Sequence, residues 1–313
     1  MQTLILDNND LKILNLLARN GRLSYRNISS TVGMTTKSVK SRVDKMHSEK
    51  VIERFITQMN PSILGYKTIC NFVARNDMLN KDLFEKISLV GDIHYQFYVM
   101  GGVKGFIVMV NEGSEEKIEL LLKSLQPFIL GVTIQSCNNQ KIADKLTITD
   151  YHIIKQLVYN PRMEILEIGK NISTSPRTVR RQIDKMSDRY HILEFTTLPN
   201  PHVMKGQIVF FLSVKVEKAM YNDVLTKIFG RLHNHIILLL MTHDQEKETI
   251  GLNLASEDVF KIESIRSQIQ SLKGVKEANV FLPIKIQYNE GVIMKAIESQ
   301  IKKIERNKAK HSI

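Results

Sequence analysis

Residues 7–19, DNNDLKILNLLAR, put Leu11, Leu14, Leu17 and Ala18 on one stripe at helical spacing. Asp7 is the expected cap of that helix, and Asn20-Gly21 ends it. A second helix is predicted from about Ser24 to Val32, with Ile28 and Val32 inward, and Gly33-Met34 makes a tight turn. Thr35 then caps a third helix from Thr36 to about Ser48. Its Val39, Val43 and Met46 recur at i, i+4 and i+7 and must face the first two helices. The opposite face of this third helix carries Lys37, Ser38, Lys40, Ser41 and Lys45. Residues 51–57, VIERFIT, alternate and are β-rich, so a strand follows.

The next stretch changes period. Tyr66–Val73 is an apolar strand, Leu83–Val90 a helix, Tyr95–Met100 and Phe106–Val110 strands around Gly101-Gly102, Glu115–Leu125 an amphipathic helix, and Val132–Cys137 a closing strand. This βαββαβ order is the split-βαβ, ferredoxin-like pattern. A sheet covered by helices on one face leaves the other needing a partner, which predicts pairing between sheets.

Shifting the chain by 140 residues without a gap superposes it on itself. Asp10 meets Asp150, Ile13 meets Ile153, Leu17 meets Leu157, Asp44-Lys45-Met46 meets Asp184-Lys185-Met186, and Asn60-Pro61 meets Asn200-Pro201. The chain is a tandem duplication of a two-part unit. The second copy predicts Ile208–Val216, Tyr221–Leu232, His235–Met241, Thr249–Leu254, Val259–Leu272 and Val275–Ile286 as its βαββαβ elements. Its third helix starts at Ser175-Pro176, a cap followed by proline at the first helical position, and exposes Arg177, Thr178, Arg180, Arg181 and Lys185. Ser173 replaces the turn glycine.

The predicted architecture is therefore α+β: a tandem repeat of a winged-helix-like helix-turn-helix and a ferredoxin-like domain, with a C-terminal helix. The expected boundaries are 1–58, 59–146, 147–198, 199–288 and 289–313. The last segment has Val292, Ile293, Ala296, Ile297, Ile301 and Ile304 on one stripe and basic residues crowding its end, the pattern of a docked, solvated helix.

Charge sharpens the picture. The 313 residues carry 44 Lys plus Arg against 32 Asp plus Glu, a net charge of +12. Ten basic against five acidic residues fall in 1–58, and six against three in 289–313. A field focused in this way suits a phosphate backbone. A helix fits the major groove, and hydroxyl and basic side chains near its N-terminus reach base edges and phosphates. The candidate DNA-contacting residues are Thr36, Lys37, Ser38, Lys40, Ser41, Arg42 and Lys45, with Arg177, Thr178, Arg180, Arg181 and Lys185 in the second copy. Two cysteines, Cys70 and Cys137, are too few for a disulfide framework and read as reduced core thiols of a cytoplasmic protein. No segment has the ~20 apolar residues that span a bilayer, and the N-terminus has no basic leader. No Walker A, GxGxxG or CxxC motif occurs. His233, His235 and His243 lack a specified fourth ligand, so no metal or cofactor is expected.

The run from Leu6 to Tyr66 resembles the leucine-responsive regulator (Lrp/AsnC) family. Asp10, Gly21-Arg22, Gly33, Val39, Arg42-Val43, Ile52, Asn60-Pro61 and Leu64-Gly65-Tyr66 match its N-terminal pattern, and Ser175-Pro176 matches its recognition-helix start. The resemblance implies a transcription regulator that binds double-stranded DNA. It also implies a βαββαβ domain that answers to a small molecule, often an amino acid, and self-associates. Thr36 through Lys45, and Pro176 through Lys185, would approach DNA. The effector loops of that family match best at Gly91-Asp92 and Gly101-Gly102, and Thr242-His243-Asp244 occupies the corresponding turn of the second copy. Family members usually carry one unit and dimerise, so a chain with two is expected to form an intramolecular pseudo-dimer or a homodimer. Siroheme decarboxylases resemble the same layout, and Arg231, His233 and His235 are the one cluster that such an enzyme reading nominates.

Overall fold

The computed structural model describes residues 4–75, 80–111, 114–126, 128–137, 145–190, 192–233, 235–238 and 248–311. The first repeat runs α1 (Asn8–Arg19), α2 (Tyr25–Val32), α3 (Thr36–Ser48), β1 (Ile52–Met59), β2 (Thr68–Arg75), α4 (Asn80–Ser88), β3 (Asp92–Val99), β4 (Val103–Val110), α5 (Glu115–Leu125) and β5 (Ile129–Ser136). The second runs α6 (Ile148–Tyr159), α7 (Ile165–Asn171), α8 (Pro176–Asp184), β6 (Leu193–Pro199), β7 (Ile208–Val216), α9 (Tyr221–Leu232), β8 (Ile236–Leu238), β9 (Thr249–Ser256), α10 (Val259–Gln270) and β10 (Val275–Phe281). β11 (Pro283–Tyr288) and α11 (Glu290–His311) follow.

Side-chain caps set the helix starts. Asp7 accepts from the backbone of Asn9 and Asp10, and Asp10 returns a carboxylate to the Asp7 N–H, closing a capping box. Thr147 and Asp150 repeat it at α6. Ser24 caps α2, Thr35 caps α3 and Ser175 caps α8. The stripe of α1 is deeper than its spacing suggests: Ile13 is fully buried with Leu14 and Leu17, while Leu11 is only half-buried.

The two sheets have the order expected of a βαββαβ domain, with the first strand central. β2 pairs antiparallel with β4 and β5, and β7 with β9 and β10. The expected strand over Val275–Ile286 is in fact two, separated at Leu282. Proline at 283 has no N–H to give the ladder, and the chain changes sheets there: β10 stays beside β7, while β11 is the edge strand beside β3. Residues 239–241 of the expected strand His235–Met241 lie outside the described residues, as do Thr242, His243 and Asp244.

The compact units do not follow the repeat. One comprises residues 1–56, 98–101 and 195–286; the other comprises 57–97, 102–194 and 287–313. Each helix-turn-helix thus belongs to a unit with the sheet of the other repeat. In the first unit, Ile13, Leu17, Val39, Met46 and Ile52 share one apolar cluster with Met204, Val209, Ile237 and Ala255. In the same unit Thr196 donates to the Ala18 carbonyl (2.6 Å), and Asn15 donates to the carbonyls of His233 and Ile236 (2.6 and 2.7 Å). In the second unit, Tyr151 donates to the Ile63 carbonyl (2.7 Å) and Thr57 to the Leu157 carbonyl (2.6 Å). There α11 packs along α6, burying Ile293, Ala296, Ile297 and Ile301, and Lys155 pairs with Glu298 at 2.8 Å.

The turn between second and third helices is built differently in the two copies. Gly33 closes α2 at φ 71, and Ser29 is its neighbour one turn back. In the second copy Ser173 takes the left-handed conformation (φ 52) and the position equivalent to Ser29 is Gly169. A Cβ on Gly169 would stand 2.6 Å from the Thr174 carbonyl oxygen, so the glycine is needed there for close approach. Three substitutions follow. Gly33→Ala should cost about 1 kcal/mol and Ser173→Gly should gain up to about 1 kcal/mol, because a side chain strains the left-handed region. Gly169→Ala should destabilise more than Gly33→Ala. Thermal unfolding of the three variants reads the order.

Candidate nucleic-acid interface

The inner face of α3 is filled by Val39, Val43 and Met46, all buried, which turns the opposite face to solvent. Thr36, Lys37, Lys40, Ser41 and Lys45 are exposed there, and Ser38 is half-exposed. The α8 helix has the same alternation: Val179 and Ile183 point inward, Arg177, Arg180 and Arg181 are exposed, and Thr178 is half-exposed. No ion pair engages Lys37, Lys40, Lys45, Arg177, Arg180 or Arg181 among the described residues. The remaining positions are partly committed. Thr36 and Ser29 hydroxyls lie 3.2 Å apart, Thr178 meets the Ser175 hydroxyl at 2.9 Å, and the Lys185 ammonium sits over the Tyr190 ring, 5.1 Å from its centroid.

Arg42 has a different occupation. Its guanidinium donates to Asp7 (2.8 Å) and to Asp10 (2.7 Å), tying α3 to the start of α1. Sequence spacing puts Arg42 next to the exposed face; the carboxylates that hold it come from an element thirty residues away, and only the fold brings them there. Burial would raise the Asp7 carboxyl, but the Asp10 backbone N–H and the Arg42 guanidinium outweigh it and hold it below the usual range. Beside this contact a groove of about 630 Å³ runs between the N-terminal segment and α3, lined by Leu4, Ile5, Thr35, Lys37, Ser38, Ser41 and Lys45 together with the Asp7–Asp10–Arg42 group. The exposed N-terminal half of α3, its cations and its helix dipole form a surface suited to a phosphate chain.

The four positions matched to effector loops are not one cluster. Gly91 and Asp92 lie at the start of β3 and Gly101-Gly102 just past its end, with about 26 Å of strand between them. Gly91 packs where a Cβ would meet the Met109 carbonyl, and Asp92 accepts from the Tyr66 hydroxyl at 2.7 Å. Gly101 and Gly102 both have positive φ (85 and 71) and open surroundings, as a tight turn requires. Arg231, His233 and His235 lie on different parts of the chain path, none of them within β8. Arg231 is exposed in the last turn of α9, and His233 caps that helix outside β8, its carbonyl taken by Asn15 and Arg19. His235 approaches the Ala255 carbonyl through Nδ1 at 3.1 Å. Cys70 and Cys137 are buried, and burial pushes both thiols up to about 12, so neither is a thiolate at neutral pH.

Comparison with known proteins agrees with this geometry. Residues 6–47 match the AsnC-type helix-turn-helix domain, and residues 146–189 match the winged helix-turn-helix DNA-binding family. The chain is 32% identical over 65 residues to the HTH-type transcriptional regulator FL11 of Pyrococcus furiosus, covering 21% of this chain and 43% of FL11. It is 26% identical over 121 residues to the regulator LrpB of Bacillus subtilis, covering 38% of this chain and 80% of LrpB. The chain thus spans under half the length of FL11. Among solved structures, the siroheme decarboxylase NirDL aligns over 96% of this chain and 100% of its own, at 12% identity and a TM-score of 0.46. LrpC of B. subtilis aligns over 44% and 96%, at 20% identity and a TM-score of 0.33.

Two helix-turn-helix DNA-binding domains therefore form the ends of the two repeats. The first is of the AsnC type, and the second follows it at the 140-residue period of the sequence.

The position of Arg42 is occupied by Gln182 in the second copy, whereas its partner is kept as Asp150. Asp150 is fully buried; Thr147 serves one carboxylate oxygen, and Oδ1 has no partner among the described residues. Arg42→Ala should cost about 2 kcal/mol, because it strips Asp10 of its charged partner. Gln182→Arg should stabilise the second helix-turn-helix by about 1 kcal/mol. Asp7, whose folded carboxyl is depressed, adds stability that is present above its unfolded value near 4 and lost as pH falls through the lower folded value. Wild-type stability should therefore decline in that acid window, and Arg42→Ala should flatten the decline. Chemical denaturation at pH 7 and across pH 2–5 reads all three effects.

Proposed function

We propose that the chain is a sequence-specific transcription regulator of the Lrp/AsnC type that binds double-stranded DNA through α3 and α8. The observation that carries this reading is the outward row on each helix: Lys37, Lys40 and Lys45 on one, Arg177, Arg180 and Arg181 on the other, each opposite a filled apolar face. A helix of this width enters the major groove, where arginine reads guanine through two parallel hydrogen bonds and lysine acts as a point charge. The two rows differ in chemistry, so the two helices suit unequal half-sites of an asymmetric operator. The sheets serve self-association, within the chain as a pseudo-dimer or between chains, and a small molecule such as an amino acid tunes the assembly. The protein works in the cytoplasm, where its DNA lies. Among the described residues no helix is long and apolar enough to cross a membrane.

Binding of the purified protein to labelled genomic fragments, including its own upstream region, tests this reading over ~50–200 mM salt. A few fragments should be retained at the upper salt. Lys37→Ala or Lys40→Ala should weaken binding without lowering the melting temperature, and each should reduce the salt slope by about one. Absence of binding at every salt, or equal binding by all variants, overturns the assignment.

A further inference from the structure

The first unit contains a second cavity, away from the exposed row of α3. It has a volume of about 230 Å³ and lies between the first two turns of α1 and the β8–β9 edge of the sheet. Leu11, Ile237 and Ala255 give it apolar walls, and Lys12, His235, Ser256 and Lys261 bring polar groups to it. Three of these polar groups are cations or imidazole. The acid at the rim, Glu257, is already paired with Lys261 at 3.2 Å. Lys12 has no ion pair among the described residues.

Ser256 is the independent sign that something belongs there. The residue is 2% exposed, and its Oγ has no hydrogen-bond partner among the described residues. Buried hydroxyls are nearly always satisfied, because leaving one unpaired forfeits its hydration for nothing. Ser256 is one of the residues that line the cavity. His235 gives its Nδ1 side to the Ala255 carbonyl, which leaves Nε2 for another partner.

We infer that this cavity binds a small aliphatic carboxylate. Its anionic end is held by the Lys12 ammonium group and the Ser256 hydroxyl, and its short chain lies on Leu11 and Ile237. The size sets the class: cavities for drug-sized molecules run to about 300–1,000 Å³, and this one is smaller. With Lys261 and Glu257 paired to each other, Lys12 is the charge left over at a wall that also carries the Asn8 and Gln207 amides, which selects an anion, and the apolar walls select one with a hydrocarbon part over a bare inorganic ion. The inference stands apart from the DNA-binding reading, because it is read from ligand binding alone.

Calorimetric titration of the full chain with sodium butanoate tests it, with butanamide and sodium phosphate as controls. Butanoate should bind saturably, and butanamide, the neutral isostere, should not. Ser256→Ala should weaken butanoate binding about tenfold, the size of one charge-assisted hydrogen bond, while leaving the melting temperature equal or higher, because it removes an unpaired buried hydroxyl. Lys12→Gln, on an exposed position, should weaken binding without unfolding the chain. Absence of saturable binding by the carboxylates from acetate to hexanoate overturns the proposal. So does equal binding of butanamide or phosphate, or binding that neither variant changes.

Discussion

The apolar cluster shared by α1, α3 and the second sheet is the contact on which the first helix-turn-helix depends. Three helices of about fifty residues bury a small share of their surface and are marginal by themselves. Here Ile13, Leu17, Val39 and Met46 are covered from the other side by Met204, Val209, Ile237 and Ala255, residues that follow them by more than 150 positions. Asn15 is the polar latch within that contact. It is buried, and its amide donates to the carbonyl of His233 at the end of α9 and to that of Ile236 in β8. The equivalent residue of the second copy is Lys155, and it makes a different bond, to Glu298 of the terminal helix. The second helix-turn-helix is therefore closed by α11, whose Gln300 also donates to the Leu64 carbonyl at 2.9 Å. One position, changed from a short amide to a long cation, follows the change of partner.

The duplication has kept the shape of the helix-turn-helix while the means of holding it have drifted. Ser29 with Gly33 became Gly169 with Ser173: the strain moved from one turn residue to another, and the lost Cβ moved with it. Arg42 became Gln182, which released α8 from the carboxylate that anchors α3. Proline at the start of α8 offsets some of that loss, since it fixes the first helical φ. The outcome is two helices with the same buried face and different outward chemistry, lysine and serine on one and arginine and threonine on the other. Two helices of one chain are in this way free to differ in outward chemistry without a change of fold.

Local signals in the sequence were enough for the helices and most strands. The stripe Val39–Val43–Met46, the caps Asp7, Ser24, Thr35 and Ser175, and the β-rich runs each encode their own element within a few residues. Long-range facts had no such signal. Nothing near Arg42 announces that Asp7 and Asp10 claim it, so its spacing alone groups it with the outward cations. The exchange of sheets between the repeats is set by where β1 and β6 lead, and the repeat pattern is equally compatible with each helix-turn-helix resting on its own sheet. Pro283 was a readable signal within the last strand, because a residue without an N–H cannot continue a ladder, yet only the pairing partners show that the chain changes sheets there. The effector positions Gly91-Asp92 and Gly101-Gly102 came from a motif match, and a motif carries no information about the strand length between its parts.

The outward cations carry a cost in the isolated protein. Lys37 and Lys40, Arg177 and Arg180, and Arg177 and Arg181 stand three or four residues apart on their helices, where like charges repel by a few tenths of a kcal/mol per pair. No ion pair engages them among the described residues, although Asp44 follows Lys40 and Asp184 follows Arg180 by four residues. Two acids at the start of α1, Asp7 and Asp10, are turned to Arg42, the cation of the helix that ties it to the fold. These acids neutralise the structural cation and form no ion pair with the outward row. A polyanion laid along that row removes the repulsion and releases its own counterions, and anything that binds only the folded state stabilises it in proportion to the affinity. The surface that weakens the free helix is thus the one through which DNA would stabilise it.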